Sequence, residues 1–268
     1  MKTHKWTDNE LKRLERAINR EYTKAYKELK EEMSAVMAKI TASPDMSLQQ
    51  KMALMTKYDR LNKLCEQMAD TLKNANTKAT NFINQSMVNV YRTNYNGQAV
   101  ELGFGILDET AVKNILTKEV NPFTKLAIAA EKDKQGLVRK LTSEMTTAIL
   151  KGESIPDMAK RLKNVSEGYL GDTIRIARTE TTRIENAARQ SVGDEGKKKG
   201  FNMWKRWIAT GDNRVRDEHW EANEQAVPVD EPFVVGGEKM MYPGDISLGA
   251  SAWNTINCRC TVVNFIKE

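Results

Sequence analysis

Histidine and cysteine are scarce in this chain, with two and three residues among 268. Three cysteines are an odd number, and Cys65 lies in a helical pattern far from Cys258 and Cys260. Neighbours spaced Cys-x-Cys rarely close an unstrained disulfide, so all three read as reduced thiols, as in a reducing cytoplasm. No run of eighteen apolar residues occurs, which excludes a membrane-spanning helix. The segment from Met1 to Arg20 is charged throughout and lacks the apolar core of a secretory signal, so the chain is expected to stay where it is made. There is no Walker loop, no dinucleotide glycine pattern and no His-Glu-x-x-His, and no small-molecule substrate suggests itself. Internal repeats and low-complexity tracts are also missing.

Charge of one sign is only mildly in excess. The formal net charge is +6, the sequence pI is about 9.0 and 29% of residues are charged. That is short of a dedicated nucleic-acid binder. Part of the excess is local, in Lys197, Lys198 and Lys199. These lysines are candidates for weak, sequence-independent DNA contact through phosphate neutralisation. The alternative is a solvated surface with a basic tilt.

The helical signal dominates the first two-thirds. From Asp8 to about Ala42, Leu11, Leu14, Ile18, Tyr22, Ala25, Leu29, Met33, Val36 and Ile40 step by three and four, the stripe of a long amphipathic helix. Thr7 or Asp8 is the expected cap, and Ser43-Pro44-Asp45 the stop. A second stripe runs from Ser47 through Met52, Met55, Leu61, Leu64, Met68, Leu72, Ala75, Ala79, Phe82, Met87 and Val90 to about Tyr91. Two such helices should pair as an antiparallel hairpin or dock on a partner's helices. Their methionines suit an uneven core or an adaptable docking face, with Met33, Met55 and Met68 as outward-facing candidates. Asn94-Tyr95-Asn96-Gly97 is expected to break the pattern. Shorter helices are predicted at about Glu109–Lys118, Pro122–Lys134, Leu137–Leu150 and Ile155–Lys163, with Gly152, Pro156 and Gly168 as punctuation. Gly152 to Arg161 has the look of a helix-turn-helix entry, but no base-reading helix follows. A longer helix is predicted from about Gly171 to Gly193.

Texture changes at Gly193-Asp194-Glu195-Gly196. Phe201 to Ile208 reads as a strand, Phe233-Val234-Val235 with Lys239 to Tyr242 as a hairpin around Gly236-Gly237, and Cys258 to Phe265 as a final strand. The fold class is α+β: a long N-terminal helical hairpin or arm (1–96), a helical middle (97–168) and a small C-terminal α+β module with a short antiparallel sheet (169–268).

Scarce residue types converge in that module. His219, Cys258 and Cys260 admit three readings. They are buried thiols beside a hydrogen-bonded imidazole, or a zinc site with Asp217 as fourth ligand, or a Cys–His nucleophile pair. Arg178, Glu180, Arg183, Arg206, Arg214 and Arg216 suit internal ion pairs, with phosphate contact as the rival. Pro243-Gly244-Asp245 is a turn whose Asp245 closes on the backbone or binds a cation.

The ordered set resembles the Mu F-like head-morphogenesis family of tailed bacteriophages. There a helical segment like Arg178-Thr179-Glu180 is followed by an Arg-rich run to a histidine, matched here by Arg206, Arg214 and His219. A Pro-Gly-Asp turn and an Asn-Cys-Arg-Cys terminus complete it, matched by Pro243, Gly244, Asp245, Asn257, Cys258 and Cys260. The resemblance covers the last third to two-fifths of the chain. It implies a minor capsid protein of a phage or prophage that binds the portal protein and other head proteins. Such a protein acts in head assembly, genome packaging or DNA ejection. It would be made in the host cytoplasm and then held at the portal vertex of the virion. No cofactor and no catalysis are implied. Related modules occur fused to toxin-like domains, and an ending at Glu268 leads us to expect no such extension here. The rival is a Cys–His or zinc-dependent hydrolase carried by the module.

Overall fold

The computed structural model describes residues 2–41, 47, 49–50, 60–116, 134–151 and 153–268. They form helices α1 (Lys2–Thr41), α2 (Arg60–Glu101), α3 (Glu109–Ile115), α4 (Lys134–Leu150) and α5 (Ile155–Lys198). Then follow strand β1 (Met203–Ile208), helix α6 (Asp217–Glu221), strands β2 (Ala226–Pro228), β3 (Phe233–Val235) and β4 (Glu238–Met240), helix α7 (Ala252–Thr255) and strand β5 (Thr261–Ile266). The fold is α+β, as expected. The predicted helix at Pro122–Lys134 falls almost wholly outside the described residues, as do Met52 and Met55. No described helix is long and apolar enough to cross a membrane.

The chain divides into two compact units, each assembled from separated segments. One comprises Arg16–Phe82 and Phe123–Thr173, the other Met1–Glu15, Ile83–Pro122 and Ile174–Glu268. The first is all-helical in its described residues. Ile18, Tyr22, Ala25 and Leu29 are buried at the predicted spacing, as are Cys65, Met68, Leu72, Ala75 and Ala79. Met68 is a core residue with 0% exposure, not an outward-facing one. The Tyr22 hydroxyl lies 2.8 Å from the Thr173 hydroxyl and donates to Asn76 at 3.4 Å. Lys78 pairs with Glu21 at 3.4 Å, so α2 runs antiparallel to α1 here, as the hairpin expectation required. Ser47 and Gln50 exchange capping hydrogen bonds, which marks Ser47 as a helix start.

The second unit holds the sheet. Strand order is β2-β1-β5, all antiparallel, with Met203 opposite Ile266 and Ile208 opposite Thr261. Strands β3 and β4 form a separate hairpin through Gly236 and Gly237, whose φ values of 56° and 79° suit glycine. Segment 174–198 of α5 packs on this sheet, and residues 183–190 are buried on every side.

Several boundaries differ from the sequence expectation. Helix α1 starts before Thr7, which is buried inside it and accepts a 2.8 Å hydrogen bond from Asn94. Asn94 to Gly97 does not break α2. Asn94 is fully buried and also donates to Val90 O, while Asn96 bonds both backbone groups of Leu107. Both asparagine side chains have partners outside their own turn, which removes their reason to leave the helix. The two helices expected around Gly168 are one helix of 44 residues. Its Gly193 and Gly196 are contact points rather than stops. A Cβ at Gly193 would stand 2.5 Å from a Val229 methyl, and one at Gly196 2.8 Å from Met203 sulfur and Phe104. Strand β5 starts at Thr261, so the two cysteines occupy the extended segment that leads into it.

Candidate functional site

Three elements converge on His219. Helix α6 begins with Asp217 and Glu218 in its first turn and carries His219 inward, with 2% exposure. The segment 257–260 leaves α7 through Asn257, at φ 55°, and runs extended into β5. Alternation sends Cys258 and Cys260 inward at 2% exposure each and Arg259 outward. Trp207 of β1 supplies the floor, edge-on to the imidazole at a centroid distance of 5.6 Å. Phe233, Val235, Met240, Ala222 and Val262 complete the apolar surround.

His219 Nδ1 lies 3.4 Å from Cys260 Sγ and 3.6 Å from Cys258 Sγ. The ligand atoms of these three residues all fall within 4.8 Å of one another, and they are the one His/Cys/Asp/Glu cluster of metal-binding size among the described residues. Asp217, the fourth candidate, stands exposed on α6 outside the cluster. The Cys258 thiol donates toward Cys260, which pushes Cys258 well up, and burial adds to that. Cys260 moves the other way, chiefly because it accepts from Cys258 and, against the cost of burial, because it faces His219. One shared proton between two sulfurs gives this pattern.

The thiol segment is held through its backbone. Thr182 donates to Cys258 O at 2.7 Å, Thr210 to Arg259 O at 2.6 Å and Asn186 to Cys260 O at 3.1 Å. Asn186 also accepts from Val262 N at 2.8 Å, and Asn257 N donates to Thr179. Arg189 donates to Val262 O and pairs with Glu185 at 3.2 Å, both buried. The Arg259 guanidinium grips Asp212 with two bonds of 2.5 and 2.6 Å. That grip holds the Asp212 carboxyl well below the usual carboxylate range and turns Arg259 away from the sulfurs.

The other motif residues separate into distinct tasks. Arg178 pairs with Glu15 of α1 at 2.6 Å, and Glu180 pairs with Arg183 one turn on. Arg206 bonds Glu224 and lies over the Phe265 ring, while Arg214 stays exposed beside Asp212. Arg216 donates to Ile256 O at 2.6 Å and lies over Trp253, so its partner is a carbonyl rather than a neighbouring carboxylate. Pro243, Gly244 and Asp245 are buried, and the turn packs against α5, with a Gly244 Cβ position 3.3 Å from Arg183 Cα. Asp245 closes the turn by accepting from Met241 N and from Ser247 N and Oγ. Lys197 pairs with Asp230, and Lys199 with Glu195 and the Phe104 ring; all three lysines are exposed.

Sequence reasoning did not single out Thr182, Asn186, Arg189, Thr210 or Lys205. The available signal was the set of polar residues Asn186, Arg189 and Gln190 flanking Ala187 and Ala188, where one helical face should have been apolar.

Residues 139–263 match the family described as Phage Mu protein F like protein. The chain is 23% identical to the minor head protein GP7 of Bacillus phage SPP1 over 98% of its own length and 85% of that protein. It is also 26% identical over 182 residues to an NAD(+)–arginine ADP-ribosyltransferase, EFV, of Enterococcus faecalis. That match takes in 68% of the chain but spans only 37% of the enzyme. No solved structure matches.

Proposed function

We propose, from the match of residues 139–263 to the Phage Mu protein F like family, that the chain is a minor head protein of a tailed phage or prophage. It attaches at the portal vertex and acts in head assembly, packaging or ejection of the genome. The observation that carries this is the end-to-end correspondence with the SPP1 minor head protein, which leaves little of either chain unmatched. The geometry supports a structural role. The His219 and cysteine side chains are buried among apolar residues and braced through the backbone, and the cleft beside them among the described residues holds about one water. The arginine-modifying activity named for the longer Enterococcus relative is a property of that protein.

Exposed Trp220 and Trp253 in the C-terminal module nominate the surface that meets other head proteins, since large aromatics left in water anchor interfaces. The test is co-sedimentation of the full chain with purified portal rings, alongside mass spectrometry of purified heads. The chain should travel with the rings and be present in heads, and Trp253→Ser should weaken the first without changing the circular dichroism spectrum. A chain absent from heads and indifferent to portal rings overturns the reading.

A further inference from the structure

We propose that His219, Cys258 and Cys260 bind one zinc ion, which ties α6 to the segment entering β5. The distances carry the argument. In a tetrahedral zinc site with Zn–S near 2.3 Å and Zn–N near 2.0–2.1 Å, neighbouring nitrogen and sulfur ligands sit about 3.6 Å apart. His219 Nδ1 stands 3.4 and 3.6 Å from the two sulfurs. A single ring N–H can aim well at one sulfur but not at both, whereas a cation between the three atoms serves all of them.

The chemistry fits as well. Two sulfurs and an imidazole are the mixed soft ligand set that zinc accepts. On binding, whatever proton the sulfur pair still holds goes to solvent, and two thiolates offset the charge of the ion. The apolar core of Trp207, Phe233 and Val262 then takes in no net charge. The ligand positions are set beforehand, because side chains of α5 and Thr210 hold the carbonyls of Cys258, Arg259 and Cys260. The three ligands also border a small cleft lined by Thr210, Arg214, Arg216 and Asn257. It has space for about one water, the fourth ligand of the ion. Sequence separations of 39 and 41 residues make the ion a cross-link over a long loop. Such a cross-link adds binding energy directly to folding energy.

The inference rests on side-chain geometry and is independent of the head-protein reading, since its test involves no phage component. Untagged full-length chain, purified in reducing buffer without chelator, should contain about one zinc by elemental analysis. Exchange with cobalt(II) should give near-ultraviolet thiolate-to-cobalt absorption and the strong visible bands of a tetrahedral site. A chelator should lower the melting temperature, and the Cys258→Ala and Cys260→Ala variants should lose the bound metal. The cobalt and chelator measurements use the native chain, so they decide the matter even where a variant fails to fold. Native chain with no zinc and no cobalt spectrum overturns the proposal. So does zinc retained at full stoichiometry when both cysteines are alanine.

Discussion

Lys205 carries its ammonium group into the interior of the C-terminal module, where it is fully buried and donates to Gln190 at 3.0 Å and to Met241 O at 2.6 Å. Burial pulls its pKa from 10.5 down to about 8, against the attraction of Asp194 and Asp245. Below about 8 both folded and unfolded chains are charged there, and the fold bears the whole desolvation cost. Above it the folded lysine gives up its proton first, so stability rises with pH until the unfolded lysine titrates near 10.5. The Lys205 contribution between pH 8 and 9.5 is roughly 1–2 kcal/mol, read by urea unfolding at each pH as the difference between the native chain and Lys205→Met, which cancels the thiols that titrate in the same range. Burial also raises the Tyr242 pKa, which costs stability as pH climbs through the ordinary tyrosine range, so the window closes below about 10. In Lys205→Met that contribution should vanish. Asn186 is the other decisive residue, since one side chain serves Thr182 O, Cys260 O and Val262 N. Asn186→Ala strands a buried donor and acceptor and should cost about 2–3 kcal/mol in the same assay.

Helix α5 shows how one residue type does opposite things along one element. Gly168 has nothing within 4 Å of its Cβ position, so there glycine only adds freedom to the unfolded chain. Gly168→Ala should raise stability by about 0.5–1 kcal/mol. Gly193 has a Val229 methyl at 2.5 Å and Asn264 at 3.0 Å, the spacing at which helix and sheet meet. Gly193→Ala should lower stability by about 1–3 kcal/mol through overpacking. Thermal melts of the two single variants, side by side, check both signs. The glycines were legible as punctuation, but their meaning depends on what lies opposite, and periodicity holds no record of that. The amphipathic stripe of α1 was legible to Leu29 because burial there follows the helical repeat. Asn94 was misread because its partner, Thr7, is 87 residues away.

Both units of the molecule draw on non-adjacent segments, with α1, α2 and α5 each contributing to both. Removing the chain before Gly97 therefore deletes core segments of each unit, and docking is better tested by surface substitution than by truncation. The expectation of weak, salt-sensitive association with DNA rests on the net charge of +6. Two of the three clustered lysines already face carboxylates, Lys197 at Asp230 and Lys199 at Glu195. Phosphate must compete with these partners. Replacing Lys197, Lys198 and Lys199 together by Gln should thus reduce the slope of log K against log salt by about 1, rather than the nearly 3 that unpaired lysines would give. Filter binding of a random duplex across a salt series measures it.

The sequence by itself determined the α+β class, the two paired helical stripes, the glycine hairpin and the ordered motif set of the C-terminal module. Each of these is local: a repeat of 3.6 or 2, a turn residue, a short spacing. Only the tertiary structure decided that His219 meets both thiols and that Asp217 stays outside. It alone showed that α5 runs unbroken through Gly168 and that a lysine lies in the core. Those outcomes depend on which side chains stand opposite one another after folding. Pairing of that kind joins residues tens of positions apart, and the chain carries no periodic trace of it.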